Sequence, residues 1–226
     1  MTTRLYVGDP YRSKFTAKVI DIDCGSLILD QSCFYGPGGL LPTDRGWIAD
    51  RQVLGLRRNN AGVLTHVMKP ARSSDPTPPK IGDRVRGCID WSGRYRAMCL
   101  HTAQHLIELA AGETHDLVAA HRPSVTTRGA TVDLTFRSAS VDPTAIADWV
   151  CTAVRDDLSM GAIDAPTPPH ERLWCLDGYG HCPCDALHLR TTGELQQVRL
   201  EPLMLDPGRL RVIARVAHEI PSAPIR

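Results

Sequence analysis

The chain is expected to fold as an α+β protein, with a small β-rich domain at the N-terminus and a mixed domain after it. Three observations predict this. Short β-branched and aromatic stretches bounded by turn residues fill the first ninety positions. Helical periodicity appears only afterwards, strongest over residues 94–112, where Leu100, Ala103, Leu106, Ile107 and Ala110 recur at three- and four-residue spacings. The C-terminal part returns to alternating, strand-like sequence, and no internal repeat is present.

In chain order, FTAKVIDID and SLILDQ read as two strands joined by a tight turn at Cys24–Gly25. The segment FYGPGGLLPTDRG (34–46) is a glycine- and proline-rich loop that can bring backbone close to a ligand. Residues 47–68 alternate apolar and polar around Asn59-Asn60-Ala61-Gly62, a hairpin signal. PARSSDPTPPK (70–80) is a surface loop, and RVRGCID a further strand. Residues 1–89 thus form a first domain, a barrel or sandwich, and residues 90–226 a second. In the second, the 94–112 helix is followed by a strand at 129–137 and a helix capped by Asp142-Pro143. A proline-rich connection, APTPPHE, then leads to a cysteine cluster, and a closing hairpin turns at Asp206-Pro207-Gly208.

Composition narrows the function classes. The chain has 226 residues, 42% hydrophobic and 23% charged, which suits a folded globular protein with a substantial core. A formal charge of +1 excludes a grossly basic nucleic-acid coat protein but allows a local basic patch. Lysine occurs only at Lys14, Lys18, Lys69 and Lys80, so arginine carries most of the positive charge. No apolar run approaches membrane-spanning length, and MTTRLYVGDPY does not resemble a signal peptide, so no membrane role and a cytoplasmic location are expected. The eight cysteines are scattered rather than spaced as a disulfide scaffold, so they are expected reduced.

The chemistry concentrates in two short pairs. His101 and His105 stand i,i+4 on one helix face, close enough to share a metal ion. Alone, such a pair is usually an ordinary pair of helical histidines. A second pair, Cys184 and His188 within HCPCDALH, completes a set of one thiolate and three imidazoles, the preference of zinc. Zn2+ is therefore the expected cofactor. HTAQH places Thr102 where the metalloprotease HExxH motif has its glutamate base, so a protease reading loses its base. Cys182 also lies within reach of the second pair. Whether His188 is a fourth ligand or a base stays open on spacing alone, and Asp185 either acts as a base, orients a ligand, or is a solvated loop charge. His66, His115, His121, His170, His181 and His218 read as core or surface histidines.

DWSGRYRAMCLHTAQHLI, followed by CDALHLRTTGEL, resembles the editing domain of alanyl- and threonyl-tRNA synthetases, and most of all the free-standing alanyl-tRNA editing proteins of the AlaX type. DPY, LILDQSCFYGPGG, DRGW and IGDRV resemble the glycine-rich barrel domain of that family's medium-length members. The resemblance implies a small N-terminal β-barrel ahead of an α+β zinc-containing editing domain. It implies metal ligands at His101, His105, Cys184 and His188, and hydrolysis of the ester joining a wrong amino acid to tRNA. His101, His188 and Asp185 become the catalytic candidates. Gly38, Gly39, Leu40, Leu41, Asp44, Ala186 and Leu187 become the substrate-facing candidates, and Arg94, Arg96, Arg128 and Arg190 the tRNA-binding ones. Charged tRNA, through its acceptor end, is the implied partner, and monomer and homodimer both stay open.

Two departures bear on the substrate. Family members show GGGQP and CGGTH where this chain has Gly38-Gly39-Leu40-Leu41-Pro42 and Cys184-Asp185-Ala186-Leu187-His188. The substrate is expected to be a seryl or threonine-like ester, and the more apolar replacements favour a threonine-like or fluorothreonyl ester over seryl and glycyl. A non-catalytic tRNA- or protein-binding module with a structural zinc is the alternative.

Overall fold

The computed structural model describes residues 2–72, 77–164, 172–196 and 198–216. The chain divides into two compact units after Arg94. The class is mixed: among the described residues strands predominate, with three α-helices, Leu5–Gly8, Trp91–Thr114 and Pro143–Arg155.

In the first unit six antiparallel strands close on themselves. Their order around the ring is Lys14–Asp23, Ser26–Leu29, Leu64–Met68, Arg51–Arg58, Gly46–Ile48 and Arg84–Ile89. The period-2 pattern sends Phe15, Ala17, Val19, Val53, Val85 and Ile89 inward, where all are buried. The first hairpin turns at Cys24–Gly25, both with positive φ (47° and 76°), the two-residue turn whose twist matches its strands. The second is held by Asn59, whose Oδ1 accepts from the backbone N–H groups of Ala61 and Val63. Gly46 has no alternative, because a Cβ there would stand 2.1 Å from the Cys88 carbonyl oxygen.

His66 is part of this core. One ring nitrogen, Nδ1, donates to the Leu27 carbonyl at 3.1 Å, and Nε2 accepts from the Ser32 hydroxyl at 2.8 Å. Burial pushes its pKa from 6.5 down to about 4. Between those values the unfolded chain binds a proton that the folded chain refuses, so stability falls as pH drops from 6.5 through 4. The loss attributable to His66 is about 3 kcal/mol at 1.36 kcal/mol per pKa unit. His66→Gln is expected to remove that share of the acid sensitivity, measured as the difference in urea unfolding free energy between neutral and mildly acidic buffer. An unchanged pH dependence would contradict it.

The second unit holds two sheets. One has the order Val198–Asp206, Arg209–Val216, Ala130–Phe136, Leu117–Val125, all antiparallel. The other is Met160–Asp164, Arg172–Leu176, Gly180–Pro183, and it delivers the cysteine cluster. The helix Pro143–Arg155 is capped by the Asp142 carboxylate, which accepts from the Thr144 N–H at 2.9 Å. The closing hairpin turns at Gly208 with φ 72°.

Four strands of this unit, including all three around the cysteine cluster, carry too little alternation to be read in advance. The APTPPHE connection lies outside the described residues. The histidine helix spans Trp91–Thr114, and it differs from the amphipathic expectation: every residue from Ala97 to Ile107 is buried. A helix sunk on all faces must satisfy its polar side chains internally, and that requirement shapes the site. No helix among the described residues is long and apolar enough to cross a membrane, and all eight cysteines are free.

Candidate metal centre

The histidine helix presents His101 and His105 one turn apart, with ring centroids 4.8 Å from each other. The second pair is brought to them by a chain of backbone anchors. Cys184 follows the strand Gly180–Pro183, and its N–H donates to the Arg172 carbonyl at 3.1 Å. Asp185 accepts from the Arg172 N–H at 2.8 Å, closing the same corner. Thr102, the residue that removes the protease reading, has a structural task here: its Oγ1 accepts from the Leu189 N–H at 3.2 Å and pins the segment after His188 to the helix. Beyond it, Glu194 closes a capping box with Thr191 and accepts from the Tyr95 hydroxyl at 3.1 Å.

The result is a cluster of four donors. Atoms from His101, His105, Cys184 and His188 all lie within 4.8 Å of one another. Cys184 Sγ is 3.3 Å from His188 Nε2 and 3.8 Å from His101 Nε2. Three imidazoles and a thiol suit a tetrahedral zinc, whose bonds of about 2.0–2.3 Å ask for only a small contraction of this set. The histidines are oriented for it. His101 Nδ1 points its proton at the Leu187 carbonyl, 3.4 Å away, which leaves Nε2 free toward the cluster. His105 Nδ1 faces Glu108, 3.6 Å away, and Cys182 Sγ at 3.7 Å, while its Nε2 is buried with no hydrogen-bond partner. An unpartnered buried ring nitrogen facing three other donors fits a ligand position.

Protonation favours the same use. Burial lowers His101 to about 3 and His105 to about 4, and holds His188 well below its ordinary range. All three are neutral at pH 7, with lone pairs available. Cys184 is pushed up to about 11 by burial, so it is a thiol until a metal takes the place of its proton.

Two further side chains hold the rings. Trp174 stacks on His105 (centroids 5.0 Å, 26°) and on His188 (5.3 Å, 30°). Glu108, fixed by the Gln104 side-chain amide at 3.0 Å, stands beside His105. Neither was among the candidates. Glu108 could have been found from its i+3 spacing to His105, whereas nothing in the sequence connects Trp174 to the histidines. A cavity of about 210 Å³ adjoins His105, walled by Trp174, Leu109, Leu176, Tyr179 and Glu108.

The remaining candidates fall differently. Asp185 is exposed and committed to the Arg172 backbone. Ala186 and Leu187 are buried, and Leu187 acts through its carbonyl on His101. In the first unit, Gly38 takes a φ of 95° in its turn, and a Cβ at Gly39 would overlap the Tyr35 hydroxyl. Leu40 is exposed and Leu41 buried. Asp44 is not open to a substrate, and Arg94 is not open to RNA: the two form a buried ion pair, and Arg94 donates also to the carbonyls of Pro10 and Cys33. Arg96 donates to the Val216 carbonyl, while Arg128 and Arg190 are exposed. Cys182 sits against the far nitrogen of His105, outside the four-donor set. His115 accepts from the Asp142 N–H, His121 and His181 are exposed, and His170 and His218 lie outside the described residues.

No family model matches the chain. Curated proteins do. The alanyl-tRNA editing protein AlaX-M of Pyrococcus horikoshii is 38% identical over 113 residues, 50% of this chain and 50% of that protein. AlaX-M of Saccharolobus solfataricus is 34% identical over 116 residues, 49% of this chain and 47% of that protein. The alanine–tRNA ligase of Saccharolobus islandicus is 38% identical over 116 residues, 49% of this chain but only 12% of the ligase. The chain spans about half the length of the AlaX-M relatives it matches.

Proposed function

From a chain whose matched half is similar to free-standing editing proteins of the AlaX type, we propose a trans-acting aminoacyl-tRNA deacylase that hydrolyses the ester of a mischarged tRNA and depends on zinc. One observation carries the reading: three neutral imidazoles and a thiol converge, with His105 Nε2 buried and unpartnered among them.

Zinc bound by these residues would supply Lewis-acid polarisation of the ester and of a water molecule. The chain's own residues do the rest. The Leu187 carbonyl keeps the His101 tautomer that exposes Nε2, and Trp174 fixes the planes of His105 and His188. Burial keeps all three imidazoles unprotonated, so protons compete weakly for the ligand nitrogens near neutral pH. An ester is activated relative to an amide, so no serine nucleophile is required. His188 serves as fourth ligand or as base, and Asp185 braces the loop that carries it.

For the amino acid, the reading favours a seryl or threonine-like ester, with fluorothreonyl among the latter. Apolar walls beside His105 support a side chain bearing a methyl or fluoromethyl group. A single methylene in an apolar pocket discriminates by only about 10–200-fold, so a graded preference is expected rather than an absolute one. Single-turnover deacylation of seryl-, glycyl-, threonyl- and fluorothreonyl-tRNA tests it. The expected order places the threonine-like esters ahead of seryl and glycyl. Fastest cleavage of seryl-tRNA(Ala) would contradict it.

The four-donor set also suits a structural zinc in a non-catalytic tRNA- or protein-binding module. That reading predicts global unfolding on chelation, whereas the deacylase reading predicts lost activity with circular dichroism little changed.

A further inference from the structure

The outer face of the six-stranded ring carries a concentration of positive charge that the metal centre does not use. Lys14 and Lys18 lie on the strand Lys14–Asp23, Arg84 and Arg86 on its antiparallel neighbour Arg84–Ile89, and all four are exposed. The register sets Lys18 directly opposite Arg84 and Thr16 opposite Arg86. Like charges facing each other across a ladder destabilise the pair. None of the four has a carboxylate partner among the described residues. The whole chain balances 26 cationic against 25 acidic residues, so this excess is local rather than compositional.

The shape of the face is equally specific. A shallow recess of about 810 Å³ is walled by Arg12, Lys14, Arg84 and Arg86, with Asp50 its single carboxylate. Trp47 stands in the same wall, in register with Cys88 and 45% exposed. A second recess of about 260 Å³ shares Trp47 and Asp50 and continues the surface past Lys69. Trp47 sits beside the two-residue turn Ala49–Asp50, where both φ angles are positive (49° and 59°), so its strand is tightly held. An exposed indole on a rigid strand, flanked by cations at strand spacing, suits a polymer with regularly spaced negative charge and flat bases.

We propose that this face binds RNA, with Lys14, Arg84 and Arg86 on successive phosphates and an unstacked base on Trp47. The inference extends the reading of tRNA as substrate and assigns the backbone contact to the first unit. Phosphate contacts position without reading sequence, so the contribution is affinity and register rather than choice of tRNA.

The test uses the full-length protein and an uncharged tRNA transcript, with affinity measured by fluorescence anisotropy across a series of KCl concentrations. Combined Lys14→Gln, Arg84→Gln and Arg86→Gln is expected to weaken binding at least about tenfold and to lower the slope of log affinity against log salt by roughly 2–3. Trp47→Ala is expected to weaken binding roughly tenfold with the slope unchanged. Arg137→Gln, a surface cation in the second unit, is expected to change neither, and melting curves confirm that each variant is folded. Unchanged affinity and slope in the triple variant would overturn the proposal. So would normal tRNA binding combined with lost binding to phosphatidylserine vesicles, which would identify a membrane surface as the partner. The two readings fail separately. Intact tRNA binding in the triple variant, with deacylation lost in Cys184→Ser, removes this inference alone. No deacylation by the wild type, with tRNA binding still lost in the triple variant, removes the enzymatic reading and keeps the RNA face.

Discussion

Replacing Arg94 with methionine is expected to destabilise the first unit by about 3–5 kcal/mol, the cost of stripping one partner from a buried ion pair. Arg94 is 2% exposed in the first turn of the histidine helix. Its Nε donates to Asp44 Oδ1 at 3.2 Å, its Nη2 to Asp44 Oδ2 and to the Cys33 carbonyl, and its Nη1 to the Pro10 carbonyl. Asp44 in turn accepts from the Tyr35 N–H at 2.6 Å. Methionine fills much of the volume but leaves a buried carboxylate without a counter-charge and two carbonyls without donors. Removing both charges in Arg94→Met with Asp44→Leu should recover part of the loss, because an absent pair costs less than a broken one. Urea unfolding of the two single variants and the double measures this. A loss below about 1 kcal/mol in Arg94→Met would contradict the structural role.

Cys184→Ser is expected to lose bound metal and to lower deacylation by at least about a thousandfold. Metal Lewis-acid catalysis is worth several kcal/mol, and about 4 kcal/mol corresponds to three decades in rate. Serine keeps the size of the side chain while offering a hard, weakly acidic hydroxyl in place of the thiolate. His101→Ala should show the same two losses. Elemental analysis and single-turnover kinetics on one preparation decide it. Full metal retention in both variants would remove the ligand assignment.

The elements legible in the sequence were those written in local chemistry. Cys24–Gly25, Asn59–Gly62 and Asp206–Gly208 announce their turns because few residues accept positive φ there, and Asp142-Pro143 announces a helix start. That His101, His105, Cys184 and His188 converge was legible from two short pairs of ligand-type residues. What could not be read was set by burial and long-range pairing. Met160–Asp164 and Gly180–Pro183 are strands because each pairs with Arg172–Leu176, which no local pattern records. Asp44 and Arg94 looked like residues aimed at ligands. They are fifty positions apart, and only the fold shows that each exists to neutralise the other. Thr102 was read as the loss of a protease base, yet its hydroxyl fastens Leu189 to the helix.

Deacylation of aminoacyl-tRNA by the zinc-loaded protein, before and after chelation, decides whether the four-donor cluster serves a deacylase. Rapid hydrolysis of a seryl or threonine-like ester is expected, with loss of that activity on chelation while the circular dichroism spectrum is preserved, and recovery on return of zinc. Undiminished hydrolysis by the chelated protein, or none by the loaded protein on any charged tRNA, would contradict this expectation.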